Sequence, residues 1–412
     1  MTKPKSALLG TEPIGKLLQA QAIPASIGIL IMSIYMIVDT IFVGHYVNGL
    51  GIGAITVVMP ITFLIASVGM AIGVGGASMI SRALGAKDGE MANRTFANQV
   101  SLTLTLAIGA VAIGSFFETE VLALFGAKAG IVPYAEEYFQ VVLWGVPFLA
   151  WAMMTNHVIR SVGASRMAML VMIIPAIANI VLDPIFIIGF DMGMRGAALA
   201  TVLSYVASAG FGGWFLLSGK SELRLLKKFI PLQRKIVAEI ISIGGVSLVR
   251  QGVVSLLYIV MNHTLFSYGG ENAVSVFGII ARLMMFANFP VLGVAQGFLP
   301  IAGYNFGAGN WERVRAAIRL SLLTGTALSL LTFAGILLFP HEISALFSNE
   351  QMLLDQTGPA ILIVFMATPL ITLQLIGAVY YQAIGKPLPA LLLTLSKQGF
   401  FLIPLILILP NY

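Results

Sequence analysis

The sequence predicts an all-α polytopic membrane protein: two six-helix lobes related by a pseudo-two-fold axis along the membrane normal, with the twelfth helix missing from the chain. Three observations predict it. The composition is 58% hydrophobic and only 10% charged, with a mean hydropathy of +0.96, far from the balance of a soluble domain. Apolar runs of roughly 20 residues, each long enough to cross the hydrocarbon core as a helix, recur along the whole length. Finally, the second half repeats the first at a constant offset of 222 residues.

The runs fall at 17–45, 53–81, 96–117, 134–160, 167–190 and 195–217 in the first half. After a basic connector come 237–267, 273–303, 315–339, 358–384 and 388–409. Their ends are marked by charge. Basic residues gather in alternate loops: Lys3, Lys5 and Lys16; Arg82, Lys87 and Arg94; Arg160 and Arg166; Lys220 to Lys235; Arg313, Arg315 and Arg319; and Lys386. The other loops carry only Lys128 and Arg195, alongside Glu118, Glu120, Asp191, Glu271, Glu342, Glu350 and Asp355. By the positive-inside rule the amino terminus is cytoplasmic, and the net charge of +6 is a topology signal, not a nucleic-acid footprint. No removable signal peptide is legible, and the absence of cysteine excludes disulfides, thiolate metal sites and a Cys nucleophile.

In the repeat, Gly85-Ala86 matches Gly307-Ala308, Glu90 matches Glu312, Ala123-Leu124-Phe125 matches Ala345-Leu346-Phe347, Pro147 matches Pro369 and Gly163 matches Gly385. Six helices return the chain to its starting side, so the repeats run parallel and enclose a central cavity. The expected division is an N-terminal lobe at 1–217, a cytoplasmic connector at 218–235 containing Pro231, and a C-terminal lobe at 236–412. The partner of the sixth helix would lie beyond Tyr412, and truncation is the expected reason.

Polar residues inside the runs carry the chemistry. In the stretch from Ala178 to Ile187, Asn179 and Asp183 are four apart and share one helical face, and Pro184 removes a backbone donor just after the acid. A charged group at membrane depth is costly and rare unless it faces a polar cavity. Asp39 in the first helix and Asp183 in the fifth both lie about 10 Å below the outer surface, at 1.5 Å per residue. Tyr138 and Thr201 fall at similar depth, with Asn179 one turn deeper, and together they would form a hydrogen-bonded cluster suited to a proton. Pro24, fifteen residues ahead of Asp39, is a candidate bend. In the second half Met261 and Leu405 stand opposite the two acids, so coupling is expected in the first lobe alone. Arg250, Gln251, Asn262, His263, Arg282, Asn288 and Lys397 supply polarity there instead.

The P-x-x-I of Pro24 to Ile27 leading into V-D-T-I-F-V-G at Val38 to Gly44, R-A-L-G-A-K-D from Arg82 to Asp88, R-S-V-G at Arg160 to Gly163 and N-x-x-L-D-P at Asn179 to Pro184 resemble the multidrug and toxic compound extrusion transporters, most of all the prokaryotic, proton-coupled branch. The resemblance covers the whole chain. It implies alternating access and export of small amphipathic, often cationic compounds by antiport against protons, with sodium at Asp39 and Asp183 as the alternative. By the same resemblance Asp39, Asp183, Asn179, Tyr138 and Thr201 would couple the ion, Asn156, Asn179 and Asp183 would meet the substrate, and Pro24 would be the hinge. The implied setting is a monomer, multi-pass in a prokaryotic cell membrane, with no cofactor and no resident metal. The rival reading is a flippase for lipid-linked oligosaccharide or another lipid-like substrate, against which the scarcity of cavity cations argues. No H-E-x-x-H or G-x-S-x-G supports an intramembrane enzyme, and a passive channel fits poorly with a cavity between repeats.

Overall fold

The computed structural model describes residues 5–46, 49–339, 342 and 351–409, and the side chains of Asp39, Thr40 and several neighbours lie outside the described residues. It is all-helical. A short helix, α1 (Lys5–Thr11), precedes the long α2 (Ile14–Tyr46), α3 (Gly49–Gly85) and α4 (Gly89–Phe116). A seven-residue α5 (Glu118–Leu124) caps the next loop before α6 (Val132–Ser161), α7 (Ser165–Asp183) and α8 (Gly193–Leu217). The second half comprises α9 (Arg234–Gly307), α10 (Trp311–Leu338), α11 (Gln351–Phe365), α12 (Thr368–Ala383), α13 (Pro387–Leu395) and α14 (Ile403–Ile408). Among the described residues ten helices are long and apolar enough to cross a membrane, and the bent pair 357–365 and 370–383, at 45°, makes an eleventh.

Three departures from the sequence reading have local causes. The seventh and eighth spans form one run with almost no loop, because Gly270 takes φ of 64° and ψ of −158°, a conformation only glycine adopts readily, and turns the chain in a single residue. At Pro184, which has no N–H to continue the ladder, α7 passes into a π-helical turn, Pro184–Gly189, closed by Phe190 N–H donating to the Ile185 carbonyl at 3.0 Å. The last span is likewise α13, a π-helical stretch Ser396–Leu402, then α14. Neither α1 nor α5 is legible as an apolar run.

The repeat is visible in matched local devices. Asp88 caps α4 by accepting from Met91 N–H at 2.9 Å, and its offset mate Asn310 caps α10 by accepting from Arg313 N–H at 3.2 Å. Gly163 and Gly385, mates again, end α6 and α12 with φ of 79° and 75°. The halves meet through α3, which packs on α9, and α2, which also packs on α9. At that seam a Cβ on Gly85 would lie 1.9 Å from the Tyr304 carbonyl oxygen, and one on Gly307 would lie 2.0 Å from that of Arg82. Residues 82 and 304 are themselves mates, so the contact is self-complementary about the pseudo-two-fold axis.

One apolar cluster containing Phe96, Ile159 and Phe215 reaches across the seam to Ile240 and Ile243. Another joins Leu9, Leu17 and Val74 to Phe298 and Ile301. Polar contacts add to the seam at the basic end of the bundle: Arg82 Nη2 pairs with Glu239 at 2.7 Å, and Ser78 Oγ donates to the Gln382 carbonyl at 2.5 Å. The first helix spans both halves there. Ser6 N–H donates to Glu222 at 2.9 Å, while Arg313 donates to the Glu12 carbonyl at 2.6 Å and Asn305 to the Leu9 carbonyl at 2.9 Å.

Gly307→Ala, which drives a methyl into the Arg82 carbonyl, is expected to destabilise the protein by about 1–3 kcal/mol. The thermal midpoint in detergent should fall, whereas Gly335→Ala, with no atom within 4 Å of its Cβ position, should leave it unchanged.

Candidate functional site

The site is built on α7, whose periodicity places Asn179 and Asp183 on one face, pressed against α8. Asp183 and Asn179 are fully buried, and Thr201 on α8 is nearly so. Asn179 Nδ2 donates both to Asp183 Oδ1 at 3.2 Å and to Thr201 Oγ1 at 3.4 Å, so one amide links the carboxylate to the hydroxyl. Thr201 and Tyr138, the latter from α6, line a cavity of about 300 Å³ with Tyr35 of α2, Thr62 of α3, Tyr205 of α8 and Gln251 of α9. The acid therefore stands one residue behind the cavity wall. A buried carboxylate held by an amide donor can take up a proton, and the oxygens of Asp183, Asn179 and Thr201 are also the donor types that suit a hard cation. Asn179 Oδ1 accepts no bond among the described residues.

Two more cavities lie toward the second half. One of about 480 Å³ is lined by Ser33, Arg250, Gln251, Asn288 and Lys397, among others. The other, of about 300 Å³ and lined from both halves, includes His157, Arg160, Arg250, Gln251, Gln296 and Gln382. Gln251 borders all three spaces, and the part of α2 beyond Pro24 borders all three as well, through Met32 and Tyr35, Ser33, and Ile29. Pro24 lies within α2, buried, two residues from Ser26, whose backbone packs against Gly293 of α9.

Of the residues singled out in the sequence, the structure brings together Asp183, Asn179, Thr201 and Tyr138. The side chain of Asp39 lies outside the described residues. Asn156 is placed elsewhere. Its Nδ2 donates to the Ala168 carbonyl at 2.7 Å and its Oδ1 accepts from Arg160 Nε at 3.2 Å. Level with Ala168, it sits some 22 Å along the α7 axis from Asp183, at 1.5 Å per residue. Its partner is a second correction: Arg160, read as a loop cation, is only 2% exposed and faces the cavity between the halves, so with Arg250 and Lys397 three cations line the cavities and the expected scarcity of cavity cations does not hold. The signal was present, since Asn156 and Arg160 are four apart on one helix. Tyr35, Tyr205 and Gln251 received no role in the site from sequence reasoning. Tyr35, four residues before Asp39, could have been found from helical spacing, whereas Tyr205 and Gln251 required the packing.

The MatE family model matches the chain twice, at residues 24–185 and 247–408. Multidrug export protein MepA of Staphylococcus aureus (strain NCTC 8325 / PS 47) is 28% identical over 403 residues, spanning 97% of this chain and 88% of the relative. A solved outward-facing conformation of a multidrug resistance MATE family transporter of the MOP superfamily superposes with a TM-score of 0.92 at 26% identity, over 100% of this chain and 91% of that one. A crystal structure of MATE in complex with MaD3S gives a TM-score of 0.91 at 26% identity, over 98% and 90%.

Asn156→Ala strips a buried guanidinium of its acceptor and is expected to cost about 1–3 kcal/mol, read as a lower thermal midpoint in detergent. Transport per folded molecule should be unchanged; its loss at full stability would return Asn156 to the transport site.

Proposed function

The chain belongs to the MatE family, and from that premise we propose that it is a cation-coupled multidrug antiporter that exports amphipathic, often cationic compounds by alternating access. The coupling ion in this reading is the proton, with sodium the alternative that the same oxygen donors could hold. The observation that carries it is the buried line Asp183–Asn179–Thr201 behind a cavity lined by tyrosines and apolar side chains. The name of the staphylococcal relative and the ligand-bound MATE structure support drug-like substrates.

The physical argument starts from the cost of charge. An ionised carboxylate at membrane depth demands water, a cation or strong donors. With Asp183 ionised, the adjoining cavity stays hydrated and attracts a cationic amphiphile, whose apolar body packs against Met32, Met59, Phe63 and Met153. Protonation from outside removes that demand. The wall can then dry and close, and the bound cation loses its counter-charge. Because α2 borders every cavity beyond Pro24, a bend at that proline would reshape them together. The basic end of the bundle, which we assign to the cytoplasm from its charge, is latched by α1 and the Arg82–Glu239 pair. That latch would have to open for inward access. Similarity to an outward-facing relative supports reading this conformation as the one closed toward the cytoplasm.

Efflux of a fluorescent cationic dye from proteoliposomes tests the reading, with a proton gradient and a sodium gradient imposed separately. One gradient alone should drive efflux, and Asp183→Asn should abolish it while the protein remains inserted and folded. Full coupled efflux by that variant sinks the proposal. If neither gradient moves dye in the unaltered protein, lipid-like substrates become the reading to test. Pro24→Ala should slow turnover severalfold without changing equilibrium dye binding in detergent; unchanged turnover would remove Pro24 as the hinge.

A further inference from the structure

The connector between the halves, residues 218–235, concentrates charge beyond what topology requires. It holds Lys220, Arg224, Lys227, Lys228, Arg234 and Lys235 against one acid, Glu222, whereas each of the other basic loops carries at most three cations. All six are exposed. Among the described residues no carboxylate pairs with any of them. Glu222 is engaged elsewhere, accepting from the Ser6 N–H at 2.9 Å and from its hydroxyl. The six cations thus form a block of like charge that the described residues leave without a counter-charge.

Apart from one 3₁₀ turn, Lys227–Phe229, the segment is irregular, so its backbone needs partners from outside. Side chains of α4 supply them. Asn93 accepts from Arg224 N–H at 2.7 Å, Asn98 accepts from Gln233 N–H at 2.7 Å and donates to the Phe229 carbonyl at 3.3 Å, and Ser101 donates to the Ile230 carbonyl at 2.6 Å. Leu223 and Phe229 are buried and fix the segment to the bundle. Ser101 stands 12 residues beyond Gly89, about 18 Å along α4, and one turn before the exposed Leu104. The connector therefore rises along the bundle edge to the level where α4 begins to show its lipid-facing side chains. What it turns outward there is mixed: Leu226, Ile230 and Leu232 are exposed among the cations. At its start Lys220 Nζ lies 3.8 Å above the ring of the exposed Trp214, an aromatic–cation pair of the kind that suits a membrane interface.

Orientation alone needs neither so many cations nor the apolar residues between them. A polybasic segment at the membrane edge attracts anionic lipid, because long basic side chains reach the phosphates while apolar neighbours sit at the acyl boundary. We propose that the connector is a docking surface for anionic phospholipid head groups, with its six cations on the phosphates and Leu226, Ile230 and Leu232 seated just below them. Its backbone is already ordered by α4, so the surface is formed before lipid arrives.

The test needs neither transport nor an ion gradient, so its outcome is independent of whether antiport is correct. The full chain in detergent micelles holding equal amounts of phosphatidylglycerol and phosphatidylcholine is analysed by native mass spectrometry. Phosphatidylglycerol should be retained at least tenfold over phosphatidylcholine. A cation beside an anionic surface contributes about fivefold in affinity. The triple variant Arg224→Gln, Lys227→Gln, Lys235→Gln breaks no side-chain bond among the described residues and should lower that retention by at least about tenfold. Arg315→Gln with Arg319→Gln, on α10, should leave it nearly unchanged. The chain has no cysteine, so Leu226→Cys carries a single environment-sensitive nitrobenzoxadiazole label. Its emission should shift to the blue when phosphatidylglycerol replaces phosphatidylcholine in nanodiscs, and return in about 1 M salt, where charge is screened within ~3 Å. Equal retention of the two lipids, an unaffected triple variant, or label emission indifferent to phosphatidylglycerol overturns the proposal. A shift produced by soluble polyglutamate and not by the lipid overturns it too, and assigns the surface to an acidic polypeptide.

Discussion

At the seam between the halves, Gly85 and Gly307 let two backbones meet at a distance no side chain would permit, and that approach sets how closely α3 and α9 pack. In lipid there is little hydrophobic drive for helices to associate, so close packing of small residues carries much of the attraction. Here the packing is self-complementary: Gly85 meets the Tyr304 carbonyl and Gly307 meets that of Arg82, and residues 82 and 304 are themselves repeat mates. The seam is reinforced by Arg82 with Glu239 and by Ser78 with Gln382. Because α2 and α3 reach across it to α9, the cavities are lined from both halves.

Symmetric architecture has not kept symmetric chemistry. The caps Asp88 and Asn310 and the turn glycines Gly163 and Gly385 hold equivalent positions and do equivalent work. Arg160 and Gln382 are equivalent too, but one is a buried cation and the other an amide. The Gln382 side chain donates to Ser247 and to the Ile243 carbonyl and accepts from Arg250. A backbone scaffold tolerates such divergence because caps and turns require particular dihedrals, whereas a cavity wall requires only that its polar groups find partners or water. The result is an acid buried beside one cavity and cations lining two others, with Gln251 between them.

The second helical element, α2, ties these chemistries together. It carries Pro24 on the basic side of its cavity-lining residues, so Ile29, Met32, Ser33 and Tyr35 all lie on the segment that a bend at the proline would move. Three spaces of different charge character therefore share one wall. Coupling through a shared wall needs no long chain of contacts, only an element with two arrangements that each site favours differently.

Much of this was legible in one dimension. Length and apolarity of the runs determined that helices cross the membrane, because a bilayer leaves few other ways to satisfy the backbone. A constant register determined the repeat, and four-residue spacing determined that Asn179 and Asp183 share a face. Pro184 marked the break in the ladder, though its form, a π-helical turn, came only with the packing. Other features were hidden for a physical reason: helical periodicity tells which residues share a face but not what that face meets. Arg160 at the end of a run reads as a loop cation until α7 is seen beside it. Asn156 reads as a substrate residue through the family resemblance alone, and its bonds to Ala168 and Arg160 became visible only when α6 was seen beside α7. Arg250 and Lys397 are far apart in the chain and come to one cavity only when α9 and the last span pack. Local chemistry of the backbone and the cost of lipid exposure acted on the sequence directly; the meeting of side chains from distant helices was decided by tertiary packing, because no local rule relates their positions.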